Sequence, residues 1–354
     1  MKLKSLRKKI DDIDKKIIAL LNKRASIAKN IGSLKNLAGT GIYMPDREAQ
    51  IYKNILKQNK GLFSDKALTA IYREIMSSSL ALEKNINIAF WGPEASFTHL
   101  AAIKKFGSQV KYSSCDSITD VFREVEILRA DYGVVPVENS TEGAVSHTLD
   151  MFINSDLKIC SEILLDISHN LLGKCDIKSV KKVYSNPNVL GQCRGWLDTH
   201  LRGVELIEVS TTSRAAEIAS KEKGSCAIAN ILAAKKYKLR VLDNGIEDST
   251  SNVTRFLVIG QHIPAPTKKD KTSIMFSTGR DRIGALHDTL SPFKKNKVNL
   301  AKIESRPSKR KSWEYYFFVD MLGHCRDAKV KKALKELEKQ CSYFKILGSY
   351  PVAL

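Results

Sequence analysis

Polar side chains interrupt the apolar stripes of the first 85 residues at intervals that would bring them together. Leu3, Leu6, Ile10, Ile13, Ile17, Leu20, Arg24, Ile27, Ile31 and Leu34 recur at alternating spacings of three and four, so Arg24 takes an apolar place on one helix face. Lys35 follows after eleven residues, about three turns, and lies on nearly the same face, with Ala28 and Gly32 between. A buried cation is costly unless paired, so Arg24 either snorkels or meets an anion. Lys35 either shares that anion or ends the helix beside the negative end of its dipole. Arg47 and Glu48 follow Pro45-Asp46, and Ser79 and Glu83 continue the face Leu68, Ile71, Tyr72, Ile75, Met76. Cations, carboxylates and a hydroxyl converging from three helices make a pocket for a small anion.

A different kind of site is signalled farther along. Val135-Pro136-Val137-Glu138-Asn139-Ser140, Tyr184-Ser185-Asn186-Pro187 with Gln192-Cys193, and Asn252-Val253-Thr254-Arg255-Phe256 each fall at a strand end. Open α/β sheets hold their ligands there, although each cluster taken singly is equally an ordinary turn or cap. The turn from Gly92 to Thr98, between a strand and a helix with Ser and Thr at its start, offers free backbone N–H groups to an anion. Cys193 reads as a packed neighbour, not a nucleophile.

The elements that must position these groups fall into three blocks. Residues 3–35 read as one long helix, Pro45 opens a second running to about Gln58, and Ser64 caps a third over 65–84. From 86 onward strands and helices alternate: strand 86–91, helix 99–106, helix 118–129, strand 132–137, strand 182–184, helix 189–199, strand 205–209, helix 212–222 and strand 227–229. No G-x-G-x-x-G follows any of these strands, so the unit is not a dinucleotide-binding one. Pro264-Ala265-Pro266-Thr267-Lys268-Lys269-Asp270-Lys271 reads as a linker. Beyond it strand 272–277, helix 284–295, strands 298–305 and 313–321, helix 328–339 and strand 343–350 give the order βαββαβ, which is ferredoxin-like.

Charge follows the same blocks. The chain of 354 residues carries 58 Lys+Arg against 38 Asp+Glu, a net charge of +20. Residues 1–85 hold 18 basic and 8 acidic groups, residues 86–267 hold 20 and 21, and residues 268–354 hold 20 and 9. Two basic ends flank a neutral centre. Such a surface suits nucleic acid, anionic membrane or small anionic metabolites, but no zinc-finger spacing, RNA-binding aromatic signature or helix-turn-helix supports the first. The 7 cysteines are scattered without a C-x-x-C pair, which argues against a disulfide framework and a zinc site. Acidic residues interrupt the basic N-terminus and no apolar run reaches the ~20 residues of a membrane span. A cytoplasmic protein is expected.

The first block resembles the all-helical chorismate mutase family, through Leu6-Arg7-Lys8-Lys9-Ile10, Arg24, Lys35, Pro45-Asp46-Arg47-Glu48, Ser79 and Glu83. The resemblance implies the rearrangement of chorismate to prephenate. Arg7, from the partner chain of an intertwined dimer, and Arg24 would grip the carboxylates, supported by Arg47 and Ser79. Lys35 and Glu83 would meet the ether oxygen and Glu48 the ring hydroxyl. Met44 stands where relatives often have Asp, and Glu83 where many have Gln.

Residues 86–260 resemble prephenate dehydratase, through the G-P-E-x-S-F-T turn, V-P-V-E-N-S-x-x-G, N-P…Q-C and T-R-F. This implies two lobes like a periplasmic binding protein, with prephenate losing carbon dioxide and hydroxide in the cleft to give phenylpyruvate. Thr254 would donate to the leaving hydroxyl, and Arg255 would pair with a carboxylate or brace its loop. Glu138, Asn139, Ser140, Ser185 and Gln192 would line the pocket. Ala95 replaces a usual Gly, and Asn186 a common His.

The tail resembles the regulatory ACT domain, with Gly284-Ala285-Leu286-His287 and Glu304-Ser305-Arg306-Pro307 similar to phenylalanine-sensing motifs. His287 replaces a usual Val. The expected protein is therefore multidomain: an all-α chorismate mutase domain (1–85), a two-lobed α/β dehydratase domain (86–263), a linker (264–271) and an α+β ferredoxin-like ACT domain (272–354). It would need no cofactor or metal, bind L-phenylalanine as effector, and form a homodimer or higher homo-oligomer, with no nucleic acid or membrane as partner. Competing readings are an arogenate-using dehydratase and an amino-acid-sensing regulator that binds nucleic acid.

Overall fold

The computed structural model describes residues 3–37, 41, 43–249, 251–278, 283–308 and 314–353. Three helices come first: α1 (Leu3–Leu37), α2 (Pro45–Gln58) and α3 (Asp65–Glu83). Pro45 sits in the first turn of α2, and the Ser64 hydroxyl accepts from the Ala67 N–H to cap α3. α1 packs on α3, while Leu6, Ile10, Ile13, Ile17 and Leu20 on its N-terminal half lie exposed.

The central block runs β1 (Asn87–Trp91), α4 (Phe97–Phe106), β2 (Lys111–Cys115), α5 (Ile118–Glu126), β3 (Tyr132–Asn139), β4 (Gly143–Ala144), α6 (Ser146–Asn154) and β5 (Lys158–Asp166). The chain then enters a second lobe: β6 (Asn170–Gly173), β7 (Lys182–Ser185), α7 (Pro187–Gln192), α8 (Arg194–His200), β8 (Glu205–Glu208), α9 (Thr212–Lys221), β9 (Ser225–Ala229), α10 (Ile231–Tyr237) and β10 (Arg240–Asp243). It returns to the first lobe along β11 (Val253–Gly260). The single helix expected over 189–199 is two, because the backbone leaves helical geometry at Cys193. β10, β6, β9, β7 and β8 form the second lobe's sheet.

The tail comprises β12 (Asp270–Thr278), α11 (Ala285–Lys295), β13 (Leu300–Pro307), β14 (Tyr315–Leu322), α12 (Ala328–Glu338) and β15 (Cys341–Pro351). Trp313, expected to open the tail's third strand, lies outside the described residues. The tail is not a tethered module. Its strands continue the first lobe's sheet in the order β13-β14-β12-β15-β5-β11-β3-β1-β2, with β4 added on β3. One hydrophobic cluster accordingly mixes Phe152, Leu257, Phe318 and Tyr350 from both blocks.

The expected spacer is likewise a packed crossover. Asp270 is buried and accepts from the Thr267 and Lys268 N–H groups, and the Lys271 ammonium lies 2.7 Å from Glu162. A Pro- and Lys-rich stretch looks like a tether in sequence because its partners come from distant residues.

Candidate active sites

The three helices surround a cavity of about 330 Å³ lined by Arg24, Lys35, Arg47, Glu48, Ser79 and Glu83, with α4 of the central block closing part of its wall. Arg24 donates to the Ser79 hydroxyl across 2.5 Å, which joins α1 to α3. Glu83 follows Ser79 by one turn of α3, and the Lys35 ammonium lies 2.9 Å from its carboxylate, both largely buried. The helices can approach this closely because residue 32 is glycine. A Cβ there would stand 2.7 Å from that of Glu83, inside any real carbon–carbon contact. Lys35 therefore does more than end its helix. Arg47 reaches the same cavity from α2 while donating to Gln50.

Glu48 accepts from the Tyr43 hydroxyl at 2.8 Å and lies 2.8 Å from the ammonium of Lys105, a residue of the central block. Burial, then Glu48, raises the Tyr43 pKa well above its ordinary value, so the phenol stays a donor. Sequence reasoning missed Tyr43, Arg73 and Lys105 on this wall; Tyr43 and Lys105 show no helical-face signal that links them to Glu48. Arg7 is not in the cavity. It stands on the exposed half of α1, seventeen residues and so ~25 Å from Arg24.

The second cluster lies between the lobes of the central block. Thr254 pairs in register with Asn139 across β11 and β3, and the Asn139 amide donates to the Thr254 hydroxyl at 2.8 Å and to Asn252 at 2.8 Å. Asn252 leads to Gln192 at 3.4 Å, and Gln192 bonds the His169 ring at 2.9 Å. The Asn139 carbonyl meanwhile ties down the Thr141 and Glu142 N–H groups. A polar chain thus crosses from one lobe to the other. His169, buried with one ring nitrogen unpartnered, was not singled out from the sequence, where it is one histidine in a strand-like run. Burial holds its pKa below the usual histidine value.

Other expected residues are elsewhere. Successive strand side chains point to opposite faces, so Arg255 and its register partner Glu138 face away from Thr254 and Asn139. The Arg255 guanidinium lies 2.8 Å from Glu162 and 2.6 Å from Asp320 and donates to Tyr350 at 2.9 Å; Glu138 meets Lys302 at 3.0 Å. Burial opposes the Arg255 charge, but Tyr350, Asp320 and Glu162 outweigh it and raise its pKa. The pair joins the tail to the central sheet and does not line the cleft. Ser185 is also buried, its hydroxyl donated to the Ile228 carbonyl, and Ser140 binds the Ser251 carbonyl and Val253 N–H.

The turn at 92–98 is gripped rather than open. The Ser96 hydroxyl accepts from the His99 N–H, the Ala95 N–H donates to the His99 ring, and Asn230 and Ser213 of the second lobe bind the Ala95 and Glu94 carbonyls. Ala95 holds φ at 66°, where a glycine would be unstrained. Burial pushes the Cys193 thiol up to about 12, so it stays protonated in the second lobe's core.

In the tail, Gly284 precedes α11 with φ 76°, and Ala285 and Leu286 open that helix. Glu304 and Arg306 lie on the face of β13 opposite Ser305, and Arg306 reaches Asp150 on α6 at 3.4 Å. The motif therefore does not present one continuous face. β13 itself is the edge of the long sheet.

Family models match in the same order along the chain: chorismate mutase type II over residues 6–84, prephenate dehydratase over 88–264, and ACT domain over 272–339. A bifunctional chorismate mutase/prephenate dehydratase of Aquifex aeolicus (strain VF5) is 51% identical, covering 99% of this chain and 98% of that one. The protein of that description from Escherichia coli (strain K12) is 30% identical over 99% and 96%. Among solved structures, the prephenate dehydratase of Arthrobacter aurescens in complex with L-Phe is 30% identical with a TM-score of 0.70, over 75% of this chain and 90% of that one. The cavity among the helices, the polar chain between the lobes and these full-length matches together place the chain in the bifunctional chorismate mutase/prephenate dehydratase family.

Proposed function

We propose that the cavity among α1, α2 and α3 rearranges chorismate and that the Thr254–Asn139 pair aromatises the prephenate produced. The observation that carries the reading is the convergence of Arg24–Ser79 and Lys35–Glu83 on one cavity wall. Chorismate is a dianion whose rearrangement needs a folded conformer and stabilisation of negative charge on the breaking ether oxygen. Arg24, supported by Ser79 and Arg47, holds a carboxylate. Lys35 donates to the ether oxygen, with Glu83 fixing its ammonium, and Glu48 accepts from the ring hydroxyl. Arg7 is too far from Arg24 along its own helix to join them, and the exposed leucines and isoleucines of α1 suit a second copy that delivers Arg7. A homodimer follows.

In the cleft, Asn139 donates to the Thr254 oxygen and so turns the threonine proton outward. Prephenate dianion then yields the phenylpyruvate anion, carbon dioxide and hydroxide, with Thr254 hydrogen-bonding the departing oxygen. Threonine is too weak an acid to give up its proton readily, so its part is polarisation. The tail's strand order supports reading it as a ferredoxin-like unit, and the two sheets of the central block support reading its lobes as a periplasmic-binding-protein-like pair. L-Phenylalanine is the proposed effector, bound at the free β13 edge against the Gly284 turn of another copy. The alternatives, arogenate as substrate or nucleic acid as partner, have no supporting observation.

The test follows chorismate to phenylpyruvate with and without L-phenylalanine. Arg24→Ala is expected to abolish chorismate turnover while added prephenate is still consumed. Thr254→Ala is expected to do the reverse, at a cost on the order of 10²-fold. Equal loss of both activities in either variant would overturn the assignment, and millimolar phenylalanine without effect would overturn the effector.

A further inference from the structure

The wall of the mutase cavity that carries Glu48 is completed from outside the helical domain. Lys105 and Phe106 end α4 of the dehydratase domain, yet both line the mutase cavity. The Phe106 ring packs tilted at 58° against that of Tyr43 with centroids 4.8 Å apart, and the Lys105 ammonium lies 6.0 Å from the Tyr43 ring centre. The same ammonium meets Glu48 at 2.8 Å, with the two side chains only 20% and 11% exposed. A lysine merely solvating a domain surface would not be so enclosed.

The backbone after α4 is fastened to the mutase helix on the opposite side. Gln109 N–H donates to the Ser77 hydroxyl at 3.0 Å, and Ser108 donates to Glu74 through its N–H at 3.0 Å and its hydroxyl at 2.6 Å. Gly107 makes this possible, since a Cβ there would stand 2.5 Å from that of Ser77. The helix that supplies Ser79 and Glu83 is thus docked on the chain segment that supplies Lys105. The position of Lys105 is set by the α4 backbone, and its reach to Glu48 does not depend on a flexible loop.

We propose that Lys105 is a positioning residue of the mutase reaction, supplied by the dehydratase domain, which orients the Glu48 carboxylate toward the substrate's ring hydroxyl and offsets its charge beside a dianion. Tyr43 and Lys105 share one oxygen of Glu48, so the second oxygen is left to accept from substrate. A carboxylate without that ammonium would repel the substrate's own carboxylates, an effect that the low-dielectric wall strengthens. The inference rests on the role given to Glu48 above. It predicts that the mutase is incomplete without the neighbouring domain, although the two reactions occupy different sites.

The experiment uses the full-length chain with Lys105→Met, Lys105→Arg, Glu48→Gln and the Glu48→Gln/Lys105→Met double variant. Mutase kcat and KM are read from chorismate loss, and dehydratase activity from added prephenate. Lys105→Met is expected to lower mutase kcat/KM by roughly ten- to a hundredfold, the range for losing a bond to a charged group. Most of the loss should appear in KM, because the ring hydroxyl is bound before and during rearrangement. Lys105→Arg should recover part of it, and dehydratase rates should hold. The double variant should be no worse than Glu48→Gln alone. Normal mutase kinetics in Lys105→Met, with Arg24→Ala inactive, would overturn this inference and leave the site reading standing. Normal kinetics in both would overturn the site reading itself. Full additivity in the double variant would show that Lys105 does not act through Glu48, and a parallel fall in dehydratase activity would make it structural; either result overturns the proposal.

Discussion

Replacing Arg255 with methionine keeps an unbranched apolar stem and takes the charge from between Glu162, Asp320 and Tyr350. The arginine side chain is only 10% exposed, and its nitrogens lie 2.8 Å and 2.6 Å from the two carboxylates. Without it Glu162 keeps Lys271 and the Ala353 N–H, but Asp320 keeps only Ser273 and its more distant neighbours. Breaking a buried pair by removing one partner costs about 3–5 kcal/mol. At ~2–4 °C per kcal/mol for a unit of 150–250 residues, the dehydratase–tail transition should fall by roughly 6–20 °C. Scanning calorimetry of the full chain reads this directly, and adding Asp320→Asn should restore part of the loss. Prephenate kinetics, taken well below the lowered transition, should change far less than in Thr254→Ala, because the guanidinium faces away from the cleft. If Arg255 instead held the substrate, KM would rise roughly a hundredfold with the transition unmoved. That pattern would refute an Arg255 that faces away from the cleft.

The acid side of the dehydratase profile should report His169. Burial puts its folded pKa below the ordinary histidine value of 6.5, so between the two values the unfolded chain binds more protons and stability rises with pH. Activity should therefore stay level as pH falls through 6.5 and drop only below it, when protonating the second ring nitrogen places a poorly solvated charge in the buried site; a midpoint at or above 6.5 counts against this. Gly32→Ala should push α3 away from α1 at a cost of about 1–3 kcal/mol and reduce chorismate turnover while sparing prephenate turnover. Unchanged mutase kcat would mean that the Lys35–Glu83 spacing is not critical.

Periodicity alone disclosed the helical domain and the polar residues on its inner face. Arg24, Ser79 and Glu83 break apolar stripes, and a polar residue on a buried stripe must have a partner, so their inward placement follows from chain-local geometry. Thr254 and Asn139 were legible as strand-end groups, although their hydrogen bond depends on the register of β11 against β3. Arg255 and Glu138 show where a motif reading fails. Adjacent residues in a strand cannot share a face, so listing a whole motif as pocket lining assigns half of it to the wrong side.

Of the central block's elements, β2, α6, β5, β6, α10 and β10 had no counterpart in the sequence reading, whereas the sequence by itself determined the order of three units, the N-terminal helices, the tail's βαββαβ order and the polar residues that interrupt apolar faces. These depend on spacings within one element, where geometry is fixed by the backbone. Tertiary structure alone decided the rest. The tail's union with the central sheet, the Arg255 cluster, the polar chain through His169, and Lys105 in the mutase wall all join residues tens to hundreds of positions apart. No local pattern encodes such contacts, because a side chain's partner across an interface is chosen by how whole elements dock and not by its neighbours in the chain.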